Sequence, residues 1–267
     1  MSEPPIPTGA TARRLADGSE DLLVREEPLQ LVVGEHRLLT MRTPGADLDL
    51  AIGFLLGEGV IANHDAVLAH RFSPGDPTAL RADTLELTLR GPLDAVVRGR
   101  LTRTHEIRSS CGICGLTDAD ELLEGTLPLL PGVPRLDAAA LESLRAGFEA
   151  RQALFTATGA CHGAALHAAD GTLLGAGEDV GRHNALDKAI GAAARRGADL
   201  RRGIALLSGR AGYDLVIKCL RVGIPVILSI SAPTALSHDL CAASGATLVG
   251  FLRQGRRRVY CDGGRLD

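Results

Sequence analysis

Ile204-Ala-Leu-Leu-Ser208-Gly-Arg-Ala-Gly-Tyr213, with Ile224-Pro-Val-Ile-Leu-Ser-Ile230 a short way on, decides the fold. Two apolar runs of strand length, 204–207 and 224–230, each stop at small or turn-forming residues. Between them, residues 213–221 carry a helical apolar period. A second such helix is expected over 235–243, a strand over 247–252, and a last strand over 257–261 after the turn Gln254-Gly255-Arg256. Strand, helix, strand, helix, strand in that order predicts an α/β layer with at least two parallel strands.

Working back along the chain, Leu29-Gln-Leu-Val-Val33, a Gly34-Glu35 turn and residues 36–43 read as a β-hairpin. Asp47 or Asp49 is expected to cap a helix bearing Leu50, Ile52, Phe54, Leu55 and Leu56. Further apolar segments at 66–72 and 84–89 follow, and a helix is expected from Pro92 to Leu101. Pro128, Pro131, Gly132 and Pro134 make the clearest break in composition. That break divides the chain into a disordered tail (1–18), an α+β part (19–132) and an α/β part (133–267). The second part should open on a helix over 136–148 and a hairpin over 163–174.

Ligands of open α/β sheets bind beyond the carboxyl ends of the strands. Those ends here read Ser208-Gly-Arg210 and Ser231-Ala-Pro-Thr234, each ahead of a helix whose free N–H groups favour an anion. Arg253 and Arg256 flank the final turn, and Arg182 with His183 follow a glycine-rich stretch read as a loop, Gly175-x-Gly177-x-x-x-Gly181. Together they predict a site for the phosphates of a nucleotide-like ligand, although a Ser or Thr ahead of a helix is most often only a cap. The glycine spacing misses the dinucleotide fingerprint by one residue and follows a hairpin, which excludes the usual nicotinamide or flavin reading. Glu178, Asp179, Arg182, His183, Asn184, Asp187 and Lys188 crowd the same place, as a solvated helix start or a ligand-binding helix terminus.

A different chemistry is signalled by Ser109-Ser-Cys111-Gly-Ile-Cys114-Gly115. Glycines and serines supply no apolar surroundings, so an exposed loop is expected, and a Cys-x-x-Cys pair often depresses the pKa of its first thiol. Redox dithiol, half of a zinc site and persulfide carrier all fit, against the plainer case of two buried packing residues. Zinc needs four ligands. Cys161, Cys219, Cys241 and Cys261 are isolated, Cys219 and Cys241 on expected helices, and only Cys161-His162 offers anything more. No metal ligand set is assigned.

Composition narrows the classes. A net charge of −3 gives no support for nucleic-acid or membrane-surface binding, and no Trp, two Tyr and five Phe leave no stacking platform for bases. No apolar run reaches membrane-spanning length, and the N-terminal residues lack a secretory layout. A cytoplasmic protein with reduced thiols is the expectation, its six cysteines serving chemistry or packing.

Taken together, Cys111-Gly-Ile-Cys114-Gly, Thr158-Gly-Ala-Cys161-His162, Gly177-Glu-Asp-Val-Gly-Arg-His-Asn-Ala-Leu-Asp-Lys188, Ser208-Gly-Arg-Ala-Gly-Tyr213 and Ser231-Ala-Pro-Thr234 resemble the formate dehydrogenase accessory sulfurtransferase family (FdhD). Glu27-Pro28 and the segment Ala51-Ile-Gly-Phe-Leu-Leu-Gly-Glu-Gly59 match as well, so the likeness runs from about residue 20 to the end. The resemblance implies a sulfur carrier. It would take sulfur from a cysteine desulfurase as a persulfide on Cys111, beside Cys114. It would then pass that sulfur to a bis-molybdopterin guanine dinucleotide molybdenum cofactor destined for formate dehydrogenase. Phe251, Leu252, Arg253, Gln254, Gly255 and Arg256 match the family's cofactor-binding segment, and guanine nucleotides would mimic the ligand. Arg182, His183, Ser208, Arg210, Ser231 and Thr234 would grip its phosphates.

The implied architecture is an α+β N-terminal part followed by an α/β three-layer, cytidine-deaminase-like domain, assembled as a homodimer. Deaminases place His-x-Glu and Pro-Cys-x-x-Cys at places that the resemblance matches to His183-Asn-Ala185 and Ser208-Gly-Arg-Ala-Gly212 here, so zinc and deamination are not expected. A chaperone that shields the cofactor without passing sulfur is the alternative. Cys161, where the family often has Thr, is expected to be a small core residue.

Overall fold

The computed structural model describes residues 5–76, 81–93, 101 and 122–267. The cysteine loop, and most of the helix expected up to Leu101, lie outside the described residues.

Twelve strands and six α-helices are described, in three sheets. Strands β1 (Ala10–Arg14) and β2 (Glu20–Val24) form an antiparallel ribbon. Ala10–Arg14 falls within the stretch expected to be a disordered tail. Its order comes from backbone pairing with β2, which the proline-rich, weakly apolar sequence does not announce. A four-stranded sheet contains β3 (Glu27–Val33), β4 (His36–Arg42), β5 (Val67–Ser73) and β6 (Asp83–Leu89), in the order β4-β3-β6-β5. The β3–β4 hairpin pairs Val33 with His36 as its spacing predicts, while β3 and β6 run parallel.

Helix α1 (Asp47–Gly57) follows β4, with Ala46 as its N-cap in a left-handed conformation and no side-chain cap. Neither Asp47 nor Asp49 is the cap. Both sit in the first turn, where a carboxylate faces the positive end of the helix dipole. Asp47 instead receives Arg42 Nε at 2.9 Å, while Asp83 receives Arg42 Nη2 at 2.5 Å. Those bonds satisfy a guanidinium that is fully buried.

The second half holds a six-stranded sheet of β7 (His162–His167), β8 (Leu173–Asp179), β9 (Ile204–Leu207), β10 (Val226–Ser229), β11 (Thr247–Arg253) and β12 (Arg256–Cys261). Its order is β8-β7-β9-β10-β11-β12, with β9, β10 and β11 parallel and the β8–β7, β7–β9 and β11–β12 pairings antiparallel. The parallel core needs helical crossovers, supplied by α5 (Tyr213–Arg221) and α6 (Ala235–Ser244). With α4 (Arg182–Arg195) they cover one face, where Leu166, Leu207, Ile227 and Leu248 join their core. Helix α2 (Ala138–Glu149), capped by Asp137, covers the other through Leu141, Leu144 and Phe148. Helix α3 (Ala153–Thr158) is a short addition without a sequence signal of its own.

One expectation is overturned in a revealing way. Gly175 and Gly177 belong to strand β8 and not to a loop. A Cβ on Gly175 would lie 2.3 Å from the carbonyl oxygen of Ala189, and one on Gly177 2.5 Å from that of Ala185. These glycines let α4 lie directly on the strand. The opposite side of α4 meets α1 in the same manner. A Cβ on Gly53 would stand 1.8 Å from the Asp187 oxygen, and one on Gly191 1.9 Å from the Asp49 oxygen.

Because of that crossing, one apolar core runs from Leu29, Leu31 and Leu85 through Leu50, Ile52 and Leu55 to Leu186, Ile190 and Leu215. The proline-rich break near residue 132 is a sequence boundary that this core ignores. Buried charge follows the same line. Lys218 Nζ meets Asp187 at 2.9 Å and Glu58 at 3.0 Å, joining α5, α4 and the end of α1. Although burial works against its charge, the two carboxylates raise Lys218 above the ordinary lysine range.

Gly191→Ala should therefore destabilise the fold by about 3 kcal/mol, near the upper end of overpacking costs, since the obstacle is main chain and cannot swing away. Chemical denaturation measures it. A second expectation concerns His167, buried on β7 with its Nδ1 unpartnered among the described residues. Burial, then the charge of Arg151, lowers its pKa to about 4 from 6.5. The stability gained by burying the neutral ring is complete above pH 6.5 and is lost as the pH falls towards 4. His167→Leu should flatten the fall in urea midpoint between pH 7 and pH 5.

Candidate functional site

The site lies at the edge of the large sheet where β9, β10 and β11 end, β7 begins and β8 gives way to α4. A continuous set of hydrogen bonds joins these pieces. Ser208 N donates to the Gly163 carbonyl at 3.0 Å, and Ser208 Oγ accepts from Gly163 N at 2.9 Å. Ser229 Oγ donates to the Gly209 carbonyl at 2.7 Å and accepts from Ser231 N at 3.1 Å. Phe251 N donates to the Ser231 carbonyl at 2.9 Å, and Arg253 Nε to that of Ile230 at 3.4 Å. The segments expected to converge at one sheet edge do so.

Their side chains divide into distinct roles. Thr234 accepts from Ser237 N at 3.3 Å and is the N-cap of α6, the plain outcome for a hydroxyl ahead of a helix. Leu252 is buried with Leu136 and Val249 and contributes packing. Arg210, Arg253, Gln254, Gly255 and Arg256 are exposed. Phe251 is exposed too, and its φ of 50° is unusual for a residue with a Cβ; Arg258 stands 5.7 Å from its ring centre.

Strand β8 turns into α4 around Asp179, which is fully buried. One oxygen accepts from Gly181 N at 2.9 Å and Asn184 Nδ2 at 3.1 Å. The other accepts from Thr43 N at 3.0 Å and pairs with Lys188 at 2.7 Å. The polar cluster is therefore an interior anchor at Asp179, Asp187 and Lys188, and only its first residues are available to a ligand. These are Arg182 and His183, in the first turn of a helix whose N-cap, Gly181, supplies no side-chain cap. Both reach Asp214 on α5, Arg182 Nη2 at 3.0 Å and His183 Nε2 in a very short contact.

Asp214 is the residue that the sequence reading missed. An acidic residue in a first helical turn looks like a dipole partner and gives no other local signal. Burial alone would raise its pKa, but hydrogen bonding and charge from His183, then Arg182, hold it down at about 2. It stays ionised at any neutral pH. His162, at the start of β7, faces the same group. Burial, then the charges of Arg182 and His183, lower its pKa below the usual histidine value. A cavity of about 520 Å3 opens beside it, lined by Gln152, Phe155, Cys161, His162, Ser208 and Ile230, among others.

Cys161 lines that cavity without being a ready nucleophile. Its sulfur is 3.6 Å from Glu178, whose carboxylate also accepts the Leu154 and Phe155 N–H groups at 3.0 and 2.8 Å at the start of α3. Burial, then the charge and hydrogen bond of Glu178, push the thiol up to about 12. Cys219 is likewise pushed up to about 12, by burial in the core. Cys111 and Cys114, the pair expected to be catalytic, lie outside the described residues. Among the described residues no group of three or more His, Cys, Asp or Glu is arranged to hold a metal ion, and no helix is long and apolar enough to cross a membrane.

The arrangement is a cationic sheet edge beside a partly apolar cavity. The FdhD/NarQ family model matches residues 24–267, and the chain belongs to that family. It is 41% identical over 279 residues to the sulfur carrier protein FdhD of Anaeromyxobacter dehalogenans strain 2CP-C, covering 97% of this chain and 95% of that one. It is also 41% identical over 252 residues to the sulfur carrier protein FdhD of Nocardia farcinica, covering 92% and 88%. A crystal structure from Desulfotalea psychrophila, described as a formate dehydrogenase accessory protein, superposes with a TM-score of 0.72 at 24% identity over 97% of both chains. That likeness speaks to the mixed α/β fold.

One consequence is directly measurable. At pH 8 a thiol of pKa about 12 is only about one part in ten thousand thiolate, so Cys161 should resist iodoacetamide. Glu178→Gln should speed its alkylation, followed by peptide mass spectrometry.

Proposed function

We propose that this chain is a sulfur carrier in formate dehydrogenase maturation, with Cys111 as the atom-bearing residue. The names of its full-length relatives support the sulfur role. The observation that carries the ligand half of the reading is that Ser208, Ser231, Phe251 and Arg253 share one hydrogen-bonded sheet edge, with Arg182 and His183 beside His162 at its β7 end.

Loading is a thiol–persulfide exchange. The Cys111 thiolate attacks the outer sulfur of a cysteine desulfurase persulfide, forming a new S–S bond while the donor leaves as its own thiolate. Cys111 then holds one sulfane sulfur. Release as sulfide needs two electrons, which Cys114 supplies. Its thiolate attacks the Cys111 sulfur, a Cys111–Cys114 disulfide forms, and hydrosulfide leaves for the metal. A cellular dithiol resets the pair, as a cytoplasmic setting allows.

The receiving substrate in this reading is the bis-molybdopterin guanine dinucleotide molybdenum cofactor, before its insertion into formate dehydrogenase. Its pyrophosphates would lie against Arg182, His183, Arg210, Arg253 and Arg256, with the exposed ring of Phe251 beside them. Ser208 and Ser231 offer short polar contacts, while Leu252 and Thr234 shape the edge from beneath. The β8-β7-β9-β10-β11-β12 order, a hairpin on one side of a parallel core, supports descent of this half from a cytidine-deaminase-like domain. A homodimer would present two such edges to a ligand with two guanine dinucleotides.

The test is the intact mass of the protein after incubation with a cysteine desulfurase and cysteine. A gain of about 32 Da, one sulfur atom, should appear, map to Cys111 and vanish on dithiothreitol treatment. An adduct that persists in Cys111→Ala, or no adduct on the native chain, contradicts the reading.

A further inference from the structure

The reading above uses Arg182 and His183 and leaves Asp214 without a part, yet Asp214 is what holds them. Its Oδ2 accepts from Arg182 Nη2 at 3.0 Å and contacts His183 Nε2 very closely. Its other oxygen lies over Gly212, where a Cβ would come within 2.4 Å of it. The carboxylate side chain is only 14% exposed, whereas those of Arg182 and His183 are 31% and 35% exposed.

The two helices involved meet in two rungs. His183 and Asp187 are four residues apart on α4, and Asp214 and Lys218 four apart on α5, so each pair shares a helix face. The inner rung, Asp187 with Lys218, is buried, and its polarity is the reverse of the outer rung, His183 with Asp214. The inner rung already docks the helices. The outer one repeats the pairing at the open end of the sheet, where the partial exposure of Arg182 and His183 reduces what it adds to stability. A guanidinium has five N–H donors. Arg182 spends one on Asp214, and among the described residues neither Arg182 nor His183 has another hydrogen-bond partner. The remaining guanidinium donors are unused beside His162.

We propose that Asp214 is a positioning residue, which fixes the Arg182 guanidinium and the His183 ring together for the pyrophosphate of a dinucleotide ligand at this edge. The proposal rests on the nucleotide reading of the site. The carboxylate touches no ligand itself; it holds the two side chains in one orientation before the ligand arrives, removing the ordering cost that they would otherwise impose on binding.

Calorimetric titration with GDP tests it on the full chain. Asp214→Ala should weaken GDP binding by about tenfold, and Asp214→Asn, which keeps an acceptor, should recover part of the loss. Arg195→Ala, which breaks an ion pair with Asp49 away from the edge, should bind as the native protein does. The melting temperature should change far less in Asp214→Ala than in Lys218→Ala, which opens the buried rung. GDP affinity in Asp214→Ala within twofold of native overturns the proposal. So does tighter binding, which would make Asp214 a competitor of the ligand.

If the native protein binds no GDP, the nucleotide reading has failed instead. The positioning claim is then decided by NMR of the Arg182 and His183 side chains. Signals that do not move in Asp214→Asn overturn it, and signals that lose their single environment support it.

Discussion

Helix α4 is held at main-chain contact distance on two sides, and the rest of the structure is arranged around that fact. Gly175 and Gly177 admit it to the sheet, while Gly53 and Gly191 admit it to α1. Six of its fourteen residues are alanine or glycine, so its packing rests on close approach as well as on the buried Leu186 and Ile190. A helix gripped in this way has little freedom to slide or turn. Its first turn, which carries Arg182 and His183, is consequently presented at a fixed place beyond the ends of β9 and β10. The N-terminal sheet takes part in this. Thr43, just after β4, receives Lys188 on its carbonyl at 2.8 Å and donates its N–H to Asp179 at 3.0 Å.

How legible this was depends on how local each signal is. The β3–β4 hairpin and the alternation from β9 to β12 could be read because apolar period and turn residues lie within the elements themselves. The glycines of β8 were misread because their reason lies on another element. A pair of glycines two apart in a strand faces one side, and only the presence of α4 there shows that the space is filled. Helix α3 was missed for a similar reason: the carboxylate that accepts its first N–H groups is Glu178, more than twenty positions downstream in the sequence. Asp214 was missed because its partners sit on a different helix. At the site, the residue types and their convergence were readable. The division into ligand-facing, capping and core roles was not, since Thr234 and Leu252 differ from Arg182 only in what surrounds them.

Three of the described cysteines share one environment. Cys161, Cys219 and Cys241 are buried, and burial raises each thiol well above the ordinary range. Thiols in that state neither attack persulfides nor compete for sulfane sulfur at neutral pH. Cys161 is the instructive case, since it borders the cavity and still has Glu178 against its sulfur. The described interior is thereby kept inert. In the proposed function the chemistry falls to the Cys111-Gly-Ile-Cys114 segment, and the anionic part of the ligand to the arginines of the sheet edge.

The central claim is that sulfur for formate dehydrogenase passes through Cys111. Its most direct test is formate dehydrogenase activity in a host lacking its own carrier, supplied with this chain carrying Cys111→Ala. The account predicts that the native chain restores activity and the variant, expressed at the same level, restores none. Activity at the native level from the variant would contradict it.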